Sequence, residues 1–381
     1  MRCATLVLLA QPLAAAWLPG GMTHARQHVA PRFALRATAS IPDPAAAASL
    51  AESGAEEAPA QPDTKPGGPS LPPSSFGALL DQAAGATAAA ICDGQLLMEV
   101  EFPPLPTSTL ENTAVSSYDL LAANLQFALE FAKRLSRELG TSPTDGKSIA
   151  LTLPDAAERV RAAEFLGCAD DDETPQPGMR MWSLSGGDAK PSPLGVLSSL
   201  FKQSSMYVQA APWASAYLVL GASAQELPAL GSLAEAAPDA PIITFNIGLD
   251  TLRGDLGLPA FPPRRVHHEV LSRFKAVYYM RPRSYTLSLA RPPFLLSYAG
   301  VLFRTYPEGF QTLLDKGSGT YRQVGITKRR PALGAFKAEL AAALKVDDEA
   351  ARASISQAGY KQSTWWEDDK DGQDVSDDWR L

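Results

Sequence analysis

Cysteine is nearly absent: three in 381 residues, with only Cys92 and Cys168 beyond the extreme N-terminus. Two thiols cannot build a disulfide framework, and such usage fits a reducing compartment. Histidine is almost as scarce, with four residues, of which His24 and His28 lie in the first forty. There is no Cys pair, no HExxH and no GxGxxG, so neither a metal nor a cofactor is expected. Long apolar runs are missing too. Thr5–Trp17, broken by Gln11 and Pro12, and Phe294–Phe303 both fall short of the ~20 residues of a spanning helix. Basic residues are in deficit, 34 against 41 acidic, giving −7. That balance argues against nucleic acid as a partner. Two motifs fail on inspection. Gly146-Lys147-Ser148 lies between a helix and a strand, the reverse of a phosphate-binding loop. Gly221-Ala222-Ser223-Ala224 begins like a nucleophile elbow, but Gln225 stands where the last glycine belongs. No catalytic residue is assigned. Acid–base work by a carboxylate pair stays open, since nothing in the spacing selects one.

What is present begins with an address. Residues 1–16 have the form of a secretory signal: Arg2, the apolar core Leu6–Ala10, then Ala14-Ala15-Ala16. Residues 17–40 carry Arg26, Arg32 and Arg36 with no acid at all, the composition of a transit segment. A signal followed at once by Trp17 and a transit segment resembles the bipartite presequence of algae with red-lineage plastids. The expected location is therefore the plastid (chloroplast) stroma, with association to thylakoids; a plainly secreted protein is the alternative. Residues 41–75, rich in Ala, Pro, Gly and Glu, read as a disordered linker.

A folded domain is expected over 76–345. Phe76–Ile91 has helical spacing. Leu97–Phe102 alternates, with Met98, Val100 and Phe102 on one face and Glu99 and Glu101 on the other, which predicts a half-buried strand. Ser117–Leu139 reads as a helix closed by Gly140, Ser148–Leu153 as a strand and Ala156–Leu166 as a helix closed by Gly167. Met179–Leu184, Ala216–Leu220 and Ile242–Phe245 are further strands, the last two separated by a helix over Gln225–Ala237. Strand, helix, strand at that spacing makes a βαβ unit. Ala276–Met280, Val301–Thr305 and Thr320–Ile326 follow with no room for crossover helices, and Pro331–Lys345 is read as a final helix with Pro331 in its first turn. The fold class is α/β: a Rossmann-like, three-layer open sheet, mostly parallel, with a C-terminal antiparallel extension.

Polar residues that end apolar strands are the first site candidates. Asp155, Ser223 and Asn246 would line the crevice beyond the carboxyl edge of a parallel sheet, where ligands usually sit. The competing reading makes Asp155 and Ser223 helix caps and Asn246 a turn residue. Charge supplies the second set. Without residues 1–40 the balance is 30 basic to 41 acidic, −11, yet residues 264–330 hold thirteen bases and three acids, +10. Arg264, Arg265, His267, His268, Arg281 and Arg283 are its candidate contacts, for a phosphate, an anionic membrane surface, RNA or an acidic partner. The alternative is that these bases balance the acidic remainder of the same fold. The last segment, 346–381, reads as a disordered acidic tail, and Trp365, Trp366 and Trp379 in it are candidate anchors, for a partner or for the basic segment itself.

In order along the chain, "DGQLLMEVEFPPLP", the helix with Asn124, "IALTLPDAAERVRAAEFLG", "YLVLGAS…PIITFNIGL", "AVYYMRP" and "VLFRTYPEGF" cover nearly all of 76–345. By this ordered set the folded region resembles the DUF1995 family of plastids and cyanobacteria, whose plant members include the low photosystem II accumulation proteins. The resemblance implies a soluble factor that acts by binding in the assembly of photosystem II or another thylakoid complex, with photosystem assembly intermediates as partners. It carries over no catalytic residue. The rival is a module or enzyme that takes a nucleotide or phosphorylated metabolite in the crevice at the carboxyl end of the sheet.

Overall fold

The computed structural model describes residues 69–105, 116–140, 147–168, 174–185, 208–289, 292, 294–317, 319–344, 363–368 and 376–381. All lie in one compact unit, Asp43–Leu381. The presequence, most of the linker, residues 346–362 and 369–375 of the tail, and Arg291 fall outside the described residues.

Helix α1 (Phe76–Cys92) leads into strand β1 (Leu97–Glu101). Helix α2 (Ser117–Glu138) starts on a capping box: Ser116 accepts from the Asp119 N–H while Asp119 accepts from the Ser116 N–H. Then come β2 (Ser148–Leu153), α3 (Ala156–Phe165), β3 (Met179–Ser183), β4 (Ala214–Val219), α4 (Leu227–Ala236) and β5 (Ile242–Phe245). Two short helices, α5 (Leu249–Asp255) and α6 (Arg265–Glu269), precede the meander β6 (Lys275–Ser288), β7 (Leu295–Thr305), β8 (Phe310–Asp315) and β9 (Tyr321–Thr327). Helix α7 (Leu333–Ala343) follows, and the tail adds α8 (Trp365–Asp368) and a 3₁₀ turn at Asp378–Arg380.

The nine strands form one sheet in the order β3-β2-β4-β5-β1-β6-β7-β8-β9. Pairing is parallel from β3 to β6 and antiparallel from β6 to β9. Period-two alternation feeds two cores. Ile149, Leu151 and Leu153 of β2 join α1 and α2 on one face, whereas Ala150 joins α4, α5 and α6 on the other. Helices on both faces make the three layers expected of an α/β sheet, and the antiparallel extension is where the meander predicts it. No helix of the described residues is long and apolar enough to cross a membrane.

Four expectations need correction. Strand β1 is not half-exposed: it lies between β5 and β6, and Glu99 is as buried as Met98 and Val100 because a central parallel strand is covered on both faces. Strands β6 and β7 run well beyond the expected Ala276–Met280 and Val301–Thr305, since they pair as one long hairpin in which Pro282 opposes Val301. Strand β8 lies outside the expected strands, because its apolar run is short and interrupted by Gln311 and Thr312. Pro331 precedes the last helix instead of opening it; Ala332 is the N-cap residue and contributes no side-chain cap.

Helix α7 packs on β7 and β8 through Phe336 and Leu340, and Gly300 permits that approach. A Cβ at Gly300 would stand 2.6 Å from both Leu340 methyl carbons and 2.7 Å from the Leu313 carbonyl oxygen. Two of these contacts could yield by rotation; the backbone one cannot. Gly300→Ala is expected to cost about 1–3 kcal/mol, seen as a lower urea midpoint at an unchanged slope.

Candidate functional site

Strands β1 and β5 are neighbours whose connections leave in opposite directions. The chain after β1 enters α2 on one face and reaches β2; the chain after β5 enters α5 and α6 on the other face and crosses to β6. Such a switch point opens a crevice at the carboxyl edge. Two left-handed residues shape its rim. Asn246 (φ 50°) accepts from the Phe102 N–H at 2.8 Å and donates to Asn124 at 3.0 Å, tying the exits of the two strands together. Gly248 (φ 69°) turns the chain into α5, and its N–H donates to Glu101 at 3.0 Å.

This turn brings Asp250, in the first turn of α5, into the crevice, and four arginines face it. Arg253 Nη1 lies 2.8 Å from Oδ1, while Arg330, Arg281 and Arg283 approach Oδ2 at 2.5, 3.4 and 3.9 Å. The Tyr279 hydroxyl donates to Oδ2 at 2.9 Å and accepts from Arg330, whose guanidinium lies 4.4 Å from the Tyr279 ring centre. Arg281 also donates to the Thr251 hydroxyl at 3.1 Å. Arg253 is wholly buried and Arg330 nearly so, at 0% and 6% side-chain exposure; Arg281 and Arg283 keep 24% and 31%. The inner pair is structural; the outer pair faces the crevice mouth.

Glu99 and Glu101 point from β1 toward the same cluster. Burial raises the Glu99 carboxyl above its ordinary value, against the pull of Arg330 and Arg253. Its Oε1 has no hydrogen-bond partner among the described residues. Burial and the Glu99 charge push Glu101 up to about 7, opposed by Arg281 and the Gly248 N–H. Burial would raise Asp250 as well, but Arg330, Arg253 and Arg281 overcome it and hold the carboxyl well below the usual range. Carboxylates driven apart in this way can hold and release a proton near neutrality.

The tail closes the crevice. Trp365 donates its indole N–H to the Arg253 carbonyl at 3.1 Å, stacks edge-on to His267 at 5.5 Å and lies under the Arg264 guanidinium at 4.9 Å. Trp379 packs on His267 at 5.4 Å and on Arg253 at 5.3 Å. Burial, with Arg253 beside it, pushes His267 down to about 2, so it is neutral here. Arg329 pairs with Asp377 at 2.8 Å and Lys275 with Asp378 at 3.7 Å; the Arg330 N–H donates to the Arg380 carbonyl at 2.7 Å. A cavity of about 30 Å³ remains, lined by Asp250, Arg283, Arg330, Phe336, Thr364, Trp366 and Glu367 among others.

The residues singled out in the sequence divide sharply. Asp155 accepts from the N–H groups of Ala157 and Glu158, and Ser223 shares a capping box with Glu226, so both are engaged as helix caps. Asn246 ties the strand exits at the crevice rim. Arg281 and Arg283 stand in the crevice, and Arg264, His267 and His268 form the bed of Trp365. Arg265 is exposed on α6. Trp366 and Trp379 are buried, so for 363–368 and 376–381 the expectation of a disordered tail gives way: complementary charge and three indole rings supply what the segment lacks alone. Among the described residues no group of three or more His, Cys, Asp or Glu is placed to hold a metal ion.

The family model for a Domain of unknown function (DUF1995) matches residues 73–338. The chain belongs to that family. No curated protein and no solved structure matches it. Every charged residue of the crevice, from Glu99 to Arg330, lies inside the DUF1995 match, whereas Trp365, Trp366, Glu367 and Trp379 lie outside it. Sequence reasoning missed Glu99, Glu101, Asp250 and Arg253. A signal for the two glutamates arises only once β1 is placed between β5 and β6: it then has no solvent face, and its carboxylates must meet buried cations or hold protons. Asp250 and Arg253 carry no comparable mark, being an ordinary pair three residues apart on a short helix.

Proposed function

We propose that this DUF1995 chain acts by binding, as an auxiliary factor for photosystem II or another thylakoid complex in the plastid stroma, and that it takes an anionic group of its partner at the switch-point crevice. The observation that carries the reading is the set of four arginines converging on one aspartate, two of them partly exposed at the mouth. Fixed guanidinium groups at a carboxyl edge suit carboxylate or phosphate recognition. The plastid setting rests on the signal-plus-transit pattern of residues 1–40 and on the resemblance to the low photosystem II accumulation proteins. Contact with anionic thylakoid lipid through the same basic segment is part of the proposal. A second reading, a module or enzyme for a nucleotide or phosphorylated metabolite, is favoured by Glu99 and Glu101, whose raised carboxyls resemble chemical groups more than docking groups.

The test is affinity capture of the full chain from plastids, with mass spectrometry of proteins and small ligands together. Thylakoid-complex subunits are expected, with recovery falling at least tenfold for Arg281→Glu/Arg283→Glu once circular dichroism shows that variant folded; Arg283→Glu alone is the milder companion. Undiminished capture by both variants overturns the site. A bare protein carrying a nucleotide or phosphorylated metabolite transfers the assignment to the second reading.

A further inference from the structure

The bed beneath the tail is built by the DUF1995 domain, and the segment lying on it comes from beyond the matched residues. Three features of the contact have the character of an occupied binding site. First, helix α7 begins without a cap of its own, because Ala332 has no acceptor side chain; the Glu367 carboxylate of the tail accepts from the Leu333 N–H at 3.1 Å and takes that place. Second, the fit is incomplete. The cavity between tail and domain leaves Arg330 Nη1 and Thr364 Oγ1 without hydrogen-bond partners among the described residues, whereas interior contacts are normally satisfied. Third, the anchors follow the pattern of an interface: indole rings at the centre, and toward the rim the exposed pair Arg329–Asp377, which salt would weaken, with the more buried Lys275 facing Asp378. Basic bed and acidic cover are complementary in charge.

We propose that this bed is a docking site for an acidic, tryptophan-bearing segment of a partner protein, and that the chain's own tail is the resident occupant that such a segment displaces. The proposal rests on the crevice being the interaction surface and adds the chemistry of what enters it. Arg264, His267 and Arg253 receive an indole. The α7 N-terminus with Arg330 receives a carboxylate one or two residues further on. Arg329 and Lys275 steer the acidic remainder.

The probe is a fluorescent peptide with the sequence of residues 363–381, added to the full chain and to full chains carrying Glu367→Gln or Trp366→Ala with Glu367→Gln. The unaltered chain should bind it weakly, its own tail being in place. The loosened chains should bind at least tenfold more tightly, and Lys275→Glu/Arg329→Glu in that background should reverse most of the gain. Glu367 is only half-buried, so Glu367→Gln keeps the test informative should the double variant unfold. Equal affinity for all chains overturns the proposal, as does equal binding of a scrambled peptide of the same composition. Light scattering covers the remaining occupant: dimers of the unaltered chain that dissociate when the tail is loosened would assign the bed to the tail of a second copy instead. If the peptide fails while capture from plastids still depends on Arg281 and Arg283, only the tail inference falls.

Discussion

Asp250→Ala is expected to lower the unfolding free energy by about 3–5 kcal/mol, the cost of breaking a buried ion pair by removing one partner. Against a total of about 5–15 kcal/mol for a native protein, that is a large share. The reason is the number of cations depending on one carboxylate. Arg253 and Arg330 are buried beside it at 2.8 and 2.5 Å, and Arg281 stands at 3.4 Å. Without Asp250 the carboxylates left nearby are Glu99 and Glu101, which burial keeps from ionising readily, and Glu367 of the tail, whose charge reaches Arg330. Asp250→Asn should cost nearly as much, since an amide N–H₂ turned toward guanidinium groups accepts nothing. Asp155→Ala is the reference: it removes only the cap of α3, worth about 1 kcal/mol. Urea unfolding of the three variants ranks them. An Asp250→Ala cost no larger than that of Asp155→Ala would mean that a neighbouring glutamate takes over the charge, and the account of the cluster would fail.

Glu101→Gln is expected to stabilise the protein at alkaline pH and to have little effect in acid. With its carboxyl pushed up from 4.5 to about 7, the folded chain keeps a proton there that the unfolded chain has released. The stabilising contribution of that proton is complete below pH 4.5 and is lost as pH rises through about 7. At pH 8 the variant should exceed the parent by roughly 3 kcal/mol, at about 1.4 kcal/mol for each unit of displacement. His267 acts in the opposite sense. It stays neutral when folded and is protonated when unfolded below its ordinary 6.5, so its contribution grows with pH up to that value. The parent's own profile therefore mixes two slopes, while the difference between parent and variant cancels the histidine. Unfolding at pH 5, 6, 7 and 8 gives that difference; parallel profiles would show that Glu101 is ionised throughout.

The parallel half of the sheet was legible because it is built from local signals. Ser148–Leu153 and Ile242–Phe245 are short apolar runs, and Gly140 and Gly167 mark helix ends with φ of 62° and 67°. The crevice was legible only in part. Asn246, Arg281 and Arg283 were found because strand ends and a charge excess can be read along the chain. Asp250 was not, because its meaning comes from a turn at Gly248 and from Arg330, eighty residues downstream. The same holds for the two glutamates of β1. Alternation reported that they share a face, but whether that face meets water depends on which strands flank β1, and those come from much later in the chain. Tail docking was open for a related reason: composition predicts that an acidic segment will not fold by itself, and says nothing about a bed elsewhere that fits it.

The place of β1 also governs the order in which the molecule can be completed. It is the first strand made, yet its edges are filled by β5 and by β6, with Thr244 bonding back to Met98 across 146 residues. A growing chain therefore carries β1 with both edges unpaired until synthesis has passed Phe245, and with one edge still unpaired until it has passed Tyr279; pairings so distant in sequence close slowly. During that interval Glu99 and Glu101 face water and are ionised like any other carboxylates, because the burial that raises them has not yet occurred. They spoil the strand as a template for mispairing, as charged residues do on exposed edges. The same two side chains thus guard the nascent strand before they serve the finished crevice.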